Sequence, residues 1–494
     1  MTMEHFDVLV VGAGLSGIGA AHHLQTRCPG HTFAILEGRD RVGGTWDLFR
    51  YPGVRSDSDM YTLGYSFRPW KGARAIADGP AILQYLQDTA RDDGITAKIR
   101  FNHRVKRAAW STLDARWTVE VERGESQEAA RLTCSFLFMC SGYYRYAAGY
   151  TPEFAGLDRF KGRIVHPQQW SDDVAYVGKR VVVIGSGATA VTLVPALAAK
   201  AAHVTMLQRS PTWMVARPTH DALANALRQV LPAKLAYGIT RWKQVLLGQY
   251  FFNLCRRNPA RAAKLLLSDL RRRLAPDQDI AKHFTPRYRP WEQRLCLVPD
   301  GDFFKALNAG RASVVTDEIE SFTEAGVKLQ SGAELPADLI VTATGLTLQV
   351  LGGVQVSVDG EPVEAAKTLN YKGLMYSGVP NLAAAFGYTN ASWTLKADLS
   401  CEYVCRLLNH MQAHGIAQCT PRNSDPNLVE EPLFDFSSGY FQRSLHLFPK
   451  QGSKAPWRLT QNYLRDILTL RFGALDDGVL VFSNPLPAAA ASPG

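Results

Sequence analysis

Two glycine-rich stretches constrain the fold of this chain more than any other feature. "VLVVGAGLSG" and "VVVIGSGATA" each lead from an apolar strand pattern into a glycine turn and then into a helical pattern. The three positions of the turn are held by Gly12, Gly14 and Gly17 in the first stretch and by Gly185, Gly187 and Ala190 in the second. Such residues permit a tight turn and let backbone approach a pyrophosphate at a helix start. The sequence therefore predicts two dinucleotide-binding units, each built as strand, turn and helix.

The residues at the ends of the following strands predict different cofactors for the two turns. The strand after the first turn, "TFAILE", ends at Glu37, and "HVTMLQRS" after the second ends at Arg209 and Ser210. A carboxylate at this point accepts hydrogen bonds from ribose hydroxyls and repels a 2′-phosphate, so the first turn is expected to bind FAD or NAD. A guanidinium binds a 2′-phosphate by paired hydrogen bonds, and a serine adds a donor, so the second turn is expected to bind NADPH.

A third segment places both units in one flavoprotein. Residues 337–345, "ADLIVTATG", have the pattern of an apolar strand, and the preceding "VKLQSGAELPA" is typical of a hairpin. In flavoproteins with two dinucleotide sites, such a strand returns the chain to the flavin domain. One flavin and one reduced nicotinamide in a single chain mean that hydride passes from NADPH to the flavin. The reduced flavin could then deliver electrons to a disulfide, to a protein or to oxygen.

The cysteines exclude the first of these acceptors. Eight cysteines are scattered along the sequence without a Cys-x-x-Cys pair, so neither a redox-active disulfide nor a zinc ribbon is indicated. Cys401 and Cys405 lie one helical turn apart and are interpreted as small core residues. Reduced structural thiols are therefore expected.

Composition and charge limit the cellular locations and the binding partners that are expected for this protein. The chain has 494 residues, of which 46% are apolar, and no run approaches the ~18 apolar residues of a transmembrane helix. The first residues lead into a strand without the pattern of a signal peptide, so a cytoplasmic protein is expected. A net charge of +10 would suit nucleic acid, an anionic membrane surface or an anionic cofactor.

Much of the positive charge lies in residues 241–273, which hold nine basic residues and one acid, Asp269. We interpret this segment as helices with a solvated basic face, and we expect no nucleic-acid partner. The alternative is a surface that makes weak peripheral contact with a membrane, such as the inner membrane, or that binds an anion.

Two further motifs point to a family. The connector "FKGRIVHPQQW" has the spacing Phe160-x-Gly162-xxx-His166-xxx-Trp170. The second motif, "GGTWDLFRYPGVRSDSD", supplies Gly44, Trp46, Tyr51, Pro52, Gly53 and Asp57. In both motifs, and over nearly its whole length, the chain resembles the Baeyer–Villiger monooxygenases of the flavin-containing monooxygenase superfamily. Ser171 departs from the Pro or Asp that usually follows the tryptophan, and the related flavin-containing monooxygenases typically have Tyr in place of Trp170.

The resemblance and the two turns together imply an α/β fold of two doubly wound, Rossmann-like domains. Residues 1–145 and 346–494 are expected to form a discontinuous FAD-binding domain, and residues 149–345 an NADPH-binding domain with a helical insertion at about 217–289. The connector is expected to act as a hinge, because polar side chains can exchange partners between two domain arrangements. No fixed structure is expected for the tail "PLPAAAASPG".

The function implied by the resemblance is an NADPH-consuming insertion of one oxygen atom of O2 beside a ketone carbonyl, through a C4a-peroxyflavin. The product would be an ester or lactone, and sulfides and thioamides would be oxygenated as well. A flavin-containing monooxygenase that acts only on nitrogen or sulfur is the alternative, and a redox-sensing binding module on the same scaffold is a second one. The partners implied are a small-molecule ketone or sulfide and O2.

The resemblance also assigns the catalytic residues. Arg294, in "WEQRLCLVPD", would stabilise an oxygen anion, and Asp57 would orient that guanidinium. Without the resemblance, Asp57 would be interpreted as the N-cap of a helix at "MYTLGY". The family often has Lys where this chain has Gln293, which gives Arg209 more weight as the contact to the NADPH phosphate. Trp393 is expected to face the substrate or nicotinamide, or else to lie in the core.

The remaining expectations concern the cofactors. The residues expected at FAD are Gly12, Gly14, Ser16, Gly17, Glu37, Thr45, Trp46, Asp57 and Val105, the last through its backbone at the adenine. Those expected at NADPH are Gly185, Ser186, Gly187, Ala188, Thr189, Arg209 and Ser210.

Overall fold

The computed structural model describes residues 3–124 and 126–485, so most of the tail "PLPAAAASPG" lies outside the described residues. The chain forms one large mixed sheet, a second parallel sheet and several small sheets. The strands are β1 (Glu4–Val11), β2 (Phe33–Leu36), β3 (Ile99–Arg100), β4 (His103–Ser111), β5 (Arg116–Arg123), β6 (Glu128–Met139), β7 (Arg163–Val165), β8 (Arg180–Ile184), β9 (His203–Gln208), β10 (Met214–Arg217), β11 (Cys296–Pro299), β12 (Ala312–Thr316), β13 (Ile319–Phe322), β14 (Gly326–Leu329), β15 (Glu334–Pro336), β16 (Leu339–Thr342), β17 (Gln355–Val358), β18 (Glu361–Pro362), β19 (Asn370–Tyr371), β20 (Met375–Tyr376), β21 (Leu382–Ala384), β22 (Gln418–Pro421), β23 (Glu430–Pro432), β24 (Lys450–Gly452) and β25 (Leu480–Ser483).

The helices lie between these strands. They are α1 (Leu15–Arg27), α2 (Thr45–Leu48), α3 (Met60–Leu63), α4 (Gly79–Asp92), α5 (Ala188–Ala198), α6 (Ala222–Val230), α7 (Ala233–Arg257), α8 (Pro259–Arg273), α9 (Ile280–Phe284), α10 (Asp302–Asn308), α11 (Trp393–Ala413), α12 (Gly439–Gln442) and α13 (Tyr463–Asp466), which continues into a π-helix at Ile467–Phe472. Short 3-10 turns occur at Ile95–Lys98, Leu157–Arg159, Pro167–Gln169, Val350–Gly353, Ala365–Lys367 and Leu445–Leu447.

The large sheet carries the first glycine turn. Its parallel part runs in the order β3-β2-β1-β6, and β21 pairs in parallel with the end of β6. The last four residues of β1 are apolar and buried, as expected for a strand covered on both faces. An antiparallel extension, β4-β5-β6, continues the sheet on the other side of β6, and the glycine motifs did not predict it. Its buried cross-strand pair Trp110 and Trp117, with ring centroids 5.5 Å apart, holds β4 on β5.

The second sheet carries the second glycine turn. It runs in the order β12-β9-β8-β16-β7 and is parallel throughout. The strand predicted in residues 337–345 is β16, which lies between β8 and β7 in this sheet, and the predicted hairpin is the antiparallel pair β14 and β15. The parallel part of the large sheet and the parallel second sheet confirm the predicted α/β class, whereas the exact domain limits stay a prediction.

Helices α6 to α9 form the insertion that the sequence predicted. They lie between β10 and β11, which pair with each other in parallel, so the chain leaves and returns at neighbouring points. Helix α7 packs on α3, which belongs to the part of the chain that forms the large sheet. The insertion therefore contacts both the part of the chain that forms the large sheet, here called the first half, and the part that forms the second sheet, here called the second half.

Two further expectations concern the core and the membrane. All eight cysteines are buried free thiols, including Cys401 and Cys405 in α11, as predicted. In the part of the chain that the structure describes, no helix combines the length and apolar character needed to cross a membrane.

Candidate functional site

The first glycine turn joins β1 to α1 with backbone that glycine alone accommodates. Gly12 has a φ of +104°, and a Cβ atom there would lie 2.7 Å from the carbonyl oxygen of Cys140. A Cβ atom on Gly17 would lie 1.8 Å from the carbonyl oxygen of Gly12, so α1 is pressed against the turn. Gly14 is the N-cap of α1, and no side chain among the described residues caps the helix there. Its first N–H groups and the helix dipole suit a pyrophosphate.

Glu37 holds this turn from the end of β2. Its Oε2 accepts a hydrogen bond from the Ala13 backbone N–H at 2.7 Å, and its Oε1 accepts one from the Arg39 N–H at 3.0 Å. The side chain is buried, and burial raises the pKa of Glu37 while the two N–H donors oppose that shift. The carboxylate therefore lies beside the turn, where the sequence predicted it.

Gly44, which directly precedes Thr45 and Trp46 of the residues predicted at FAD, meets the same turn. A Cβ atom on Gly44 would lie 3.0 Å from the Cα of Gly14, so the two glycine segments meet backbone to backbone. Thr45 and Trp46 begin α2 directly after Gly44, and Trp46 packs half-buried against the core of the large sheet. Val105 is buried in β4.

The second glycine turn repeats this backbone with a more open surface. Gly185 has a φ of +134°, and a Cβ atom there would lie 2.3 Å from the carbonyl oxygen of Ala343. Gly187 is the N-cap of α5, and a Cβ atom on it would meet none of the described residues within 4 Å. The Ser186 hydroxyl donates a hydrogen bond of 2.9 Å to the carbonyl oxygen of Ser210 and so ties the turn to the loop after β9.

Arg209 lies in this loop, directly after β9, and is exposed. Ala188 and Thr189 form the first turn of α5 and are half-buried. The second turn therefore combines an open helix N-terminus with an exposed guanidinium, which fits an anionic nucleotide.

The second sequence motif lies between the two glycine turns. Tyr51 packs half-buried against the apolar core of the second sheet, which includes residues of α5, and burial raises the pKa of Tyr51 while the Thr189 side chain opposes that shift. A Cβ atom on Gly53 would lie 2.7 Å from the Cβ of Ala196, so this segment packs tightly against α5. The motif thus brings the first half of the chain into direct contact with the helix of the second turn.

Arg294 lies two residues before β11, at the end of the insertion, and reaches segments of the first half. It is half-buried, and its Nη2 donates a long hydrogen bond of 3.4 Å to the carbonyl oxygen of Thr389. Within electrostatic range of its guanidinium lie Tyr143, Tyr144, Tyr440 and Asp57, of which only Asp57 is acidic near neutral pH. Of these neighbours the sequence named only Asp57, because no spacing along the chain connects the tyrosines or Thr389 with Arg294.

Asp57 is the acidic member of this group. Burial raises the pKa of Asp57, and the positive charges of Arg294 and Arg55 oppose that shift. The alternative role as an N-cap belongs to Asp59, whose carboxylate accepts the N–H groups of Tyr61 and Thr62 at the start of α3. Asp57 is therefore available for an electrostatic role near Arg294.

The connector ties together the two places where the chain crosses between the halves. The Nδ1 atom of His166 accepts the Gln168 N–H at 3.1 Å, so its Nε2–H donates to the carbonyl oxygen of Gly345 at 3.0 Å. Burial lowers the pKa of His166, which favours this neutral form. The Gln168 Nε2 donates to the carbonyl oxygens of Arg145 and Tyr146 at 2.8 and 3.0 Å. The connector thus forms hydrogen bonds to the backbone at both places where the chain passes from one half to the other.

The other connector residues are packed on the second half. Phe160 is buried in a small apolar cluster beside the second sheet. A Cβ atom on Gly162 would lie 2.8 Å from the carbonyl oxygen of Asp338. Trp170 is half-buried and meets Tyr176 edge to face, with ring centroids 6.0 Å apart. These contacts anchor the connector on the second half.

Trp393 begins α11 and links the first turn to an aromatic group. Its Nε1–H donates a hydrogen bond of 2.8 Å to the hydroxyl of the buried Ser16. Its ring stacks on Tyr143 with centroids 5.2 Å apart, and Tyr143 in turn lies near Arg294. Trp393 is therefore half-buried between the first glycine turn and the surroundings of Arg294.

An apolar cavity adjoins Tyr143 within the first half. Its aromatic and aliphatic lining comes from several segments that are distant in sequence, among them those after β6, after β21, after β23 and before β24. These lining residues include Tyr143, Phe386, Leu433, Phe434 and Phe448. The cavity offers an apolar surface beside the group that surrounds Arg294.

Family models and relatives agree with this architecture. A model described as flavin-binding monooxygenase-like matches residues 76–243, and one described as an NAD(P)-binding Rossmann-like domain matches residues 10–83. The FAD-containing monooxygenase EthA of Mycobacterium tuberculosis is 55% identical over 486 residues, which cover 98% of this chain and 99% of the relative. A probable FAD-binding monooxygenase AlmA of Acinetobacter baylyi is 47% identical and covers 97% of both chains.

Solved structures share the fold. An oxidized steroid monooxygenase bound to NADP superimposes with a TM-score of 0.72 at 26% identity, covering 84% of this chain and 87% of that one. A complex of OTEMO with FAD and NADP has a TM-score of 0.69 at 24% identity, covering 85% and 88%. From the full-length similarity to its relatives, the chain belongs to the family of flavin-binding, FAD-containing monooxygenases.

Proposed function

We propose that this enzyme is a Baeyer–Villiger monooxygenase. It would convert a ketone, O2, NADPH and a proton into an ester or lactone, water and NADP⁺. The observation that carries the proposal is the half-buried Arg294, which the insertion places among segments of the first half beside Asp57 and Tyr143. A permanent cation at this meeting point can stabilise a carbonyl oxygen as it becomes an anion.

FAD and NADPH are the cofactors, and the two glycine turns are the parts of the chain that fit them. At the first turn, the N–H groups of α1 would hold the FAD pyrophosphate and Glu37 the ribose. At the second, α5 would hold the NADPH pyrophosphate and Arg209 the 2′-phosphate. When bound, FAD reduced by NADPH supplies the electrons that activate O2.

Arg294 would act on the substrate by its charge and its hydrogen-bond donors. Its single long bond to Thr389 leaves donors of the guanidinium that can turn to a reacting oxygen atom. The Asp57 carboxylate would orient the guanidinium electrostatically, since the charge of Arg294 opposes the raised pKa of Asp57. Loss of one such preorganised donor typically costs about 10²- to 10³-fold in rate.

The cavity beside Tyr143 would take the apolar part of the substrate. Phe386, Phe434 and Phe448 exclude water from this surface, which strengthens electrostatic interactions at the neighbouring cation. The same apolar surface would accept sulfides and thioamides, so sulfur oxygenation is proposed as a side activity.

The connector would couple the two halves during turnover. His166 and Gln168 bond the backbone of both crossings, and hydrogen bonds of this kind can exchange when the halves shift. The expected contact with a membrane is a separate proposal, because it rests on the helical insertion and not on the residues around Arg294.

The test is a panel of linear and cyclic ketones with matched sulfides, in which NADPH loss and product mass are followed together. We expect ketones to gain one oxygen atom with stoichiometric NADPH loss, and ester or lactone fragments in the mass spectrum. Oxygenation of sulfides or amines with every ketone left unchanged would replace this proposal by the N- or S-monooxygenase alternative.

A further inference from the structure

The outward side of helix α7 is apolar, which is unusual for a surface helix. Helix faces that meet water normally carry polar residues, with the apolar stripe turned to the core. Here the inward side is buried through Tyr237, Arg241 and Val245. The outward side, at spacings of three and four residues, exposes Leu235, Ile239, Trp242, Leu246 and Tyr250.

This strip carries little charge of its own. Tyr250 is 66% exposed and Leu246 is 52% exposed, so the strip faces solvent along most of the helix. Lys243, at its edge, is bonded to Asp221 and turned to α6. Charged residues resume at Arg256 and Arg257, at the C-terminal end of α7.

A second segment extends the apolar surface. The ring of Trp242 lies 6.0 Å from that of Tyr463, which places the start of α13 beside α7. After Tyr463, the chain exposes Leu464, Leu468 and Phe472, the last at 69%. Isolated exposed apolar residues are common, but a cluster built from two segments distant in sequence marks an interaction surface. We call the eight side chains from α7 and this segment the apolar face.

On α7, α8 and α13, the helices that carry the apolar face or pack beside it, the cations outnumber their acidic partners. Asp221, Asp269 and Asp435 are already paired with basic residues of α7 and α8. Within the described residues, several further cations on α7, α8 and α13 take part in no ion pair: Lys234, Arg257, Arg261, Lys264, Arg271 and Arg465. The apolar face is therefore accompanied by positive charge that a negative surface would complement.

We propose that the apolar face is the docking surface for an anionic phospholipid bilayer. A helix that lies in the bilayer interface buries Trp, Leu and Phe side chains among the acyl chains, while Lys and Arg meet the anionic headgroups. The charge excess favours this occupant over a second copy of the same basic chain, because two copies would bring like charges together. The sequence pointed to the basic residues of this segment, whereas the structure assigns the contact to the apolar side of α7.

The docking surface is one helix away from the candidate site. The inward Val245 packs on Tyr388 and Leu395. Thr389, which follows Tyr388 in the chain, accepts the hydrogen bond of Arg294 through its carbonyl oxygen. A substrate dissolved in the bilayer would therefore meet the enzyme near its reacting group. This second step rests on the proposed function, whereas docking itself does not.

Flotation with vesicles tests the docking directly. The holoenzyme would be mixed with vesicles of pure phosphatidylcholine or of equimolar phosphatidylcholine and phosphatidylglycerol, and its partition measured after centrifugation. We expect binding to the anionic vesicles only. The variants Trp242→Ser with Leu246→Ser, and Leu468→Ser with Phe472→Ser, should each weaken that binding about tenfold or more, because each exposes polar groups to the acyl region.

The control is Leu113→Ser, which alters an equally exposed leucine in the turn between β4 and β5 and should float as the unaltered enzyme does. All variants should reduce flavin with NADPH at the unaltered rate, which shows that they are folded. The proposal is overturned by an enzyme that does not float with anionic vesicles, or by face variants that float as well as the control. Light scattering that shows a dimer dissociated by the face variants, without vesicle binding, would instead assign the face to a second copy.

Discussion

The two glycine turns hold the end of the following strand in opposite ways. At the first turn, the strand-end residue reaches inward: both oxygens of the buried Glu37 accept backbone N–H groups, one of them from the turn itself. At the second turn, a side chain of the turn bonds the segment after the strand instead: the Ser186 hydroxyl donates to the carbonyl oxygen of Ser210, and the side chain of Arg209 stays exposed. One site is therefore closed and preorganised, and the other is open.

The difference indicates how each site would treat its cofactor. A buried carboxylate with fixed orientation suits a nucleotide that remains bound, because no reorganisation is needed to hold it. An exposed guanidinium suits a nucleotide that enters and leaves, since its contacts form and break at the surface. Arg294 lies where the two halves meet, so it can be altered without touching either turn.

The largest expected effect is at Arg294, and it distinguishes flavin reduction by NADPH, which needs both turns, from the oxygenation of the ketone. Arg294→Ala should still allow NADPH to bleach the flavin but should lower ketone oxygenation by about 10²- to 10³-fold, because the charge at the reacting oxygen is lost. Stopped-flow absorbance and product analysis measure the two steps separately. The matched control is Arg289→Ala, an exposed arginine five residues earlier, which should leave both steps unchanged. Ketone oxidation near the unaltered rate in Arg294→Ala would remove this residue from the reaction.

The second effect concerns the open site. Arg209→Ala should raise the KM for NADPH by roughly 10- to 100-fold, the loss expected for charge-assisted hydrogen bonds, and should leave the KM for NADH nearly unchanged. Steady-state oxidation of the two nucleotides compares them in one enzyme. Lys200→Ala removes an exposed cation beyond the far end of α5 and should alter neither value. An equal rise for NADPH and NADH would show that Arg209 does not contact the 2′-phosphate.

A smaller effect is expected at the closed site. Glu37→Gln leaves one acceptor oxygen where the carboxylate has two, so it can keep only one of the two N–H contacts and no negative charge. FAD retention after dialysis should fall by about tenfold, as for one lost hydrogen bond to a charged group. The NADPH dependence should not change. Full FAD retention in Glu37→Gln would mean that the buried carboxylate serves the turn alone.

The smallest expected effect is on the pH dependence of the free energy of unfolding, through Asp57. Burial raises the pKa of Asp57 in the folded state above its unfolded value of about 4, so its contribution is complete below that value. The contribution is lost as pH rises through the raised folded-state pKa, because the folded protein must then hold a buried charge. Asp57→Asn should remove this part of the pH dependence and raise the free energy of unfolding at neutral pH, because the variant holds no charge at this position. Urea unfolding of the holoenzyme over this pH range measures it, and parallel curves for both proteins would contradict the assignment.

Local patterns predicted much of the fold. The apolar runs that became β1, β8 and β16, the glycine turns after the first two, and the hairpin of β14 and β15 all lie where the sequence placed them. The antiparallel extension was not predicted, although Trp117, Val119 and Val121 alternate with polar residues in β5, as in a half-buried strand.

The surroundings of Arg294 could not be predicted in the same way. Asp57 was named from a motif, but Tyr143, Tyr440 and Thr389 come from three separate segments. No periodicity or spacing connects residues at such distances along the chain. The apolar face of α7 could not be predicted either, because apolar and aromatic residues occur on both sides of this helix and the sequence does not indicate which side is buried.

The sequence by itself determined the two dinucleotide turns and the opposite charges at their strand ends, since these depend on backbone conformation and residue type within one βαβ unit. Only the tertiary structure decided that Glu37 is closed in and Arg209 left open, which residues surround Arg294, and which side of α7 meets solvent. Burial and electrostatic environment are set by segments distant in the chain that packing brings together, and a linear pattern does not contain that information.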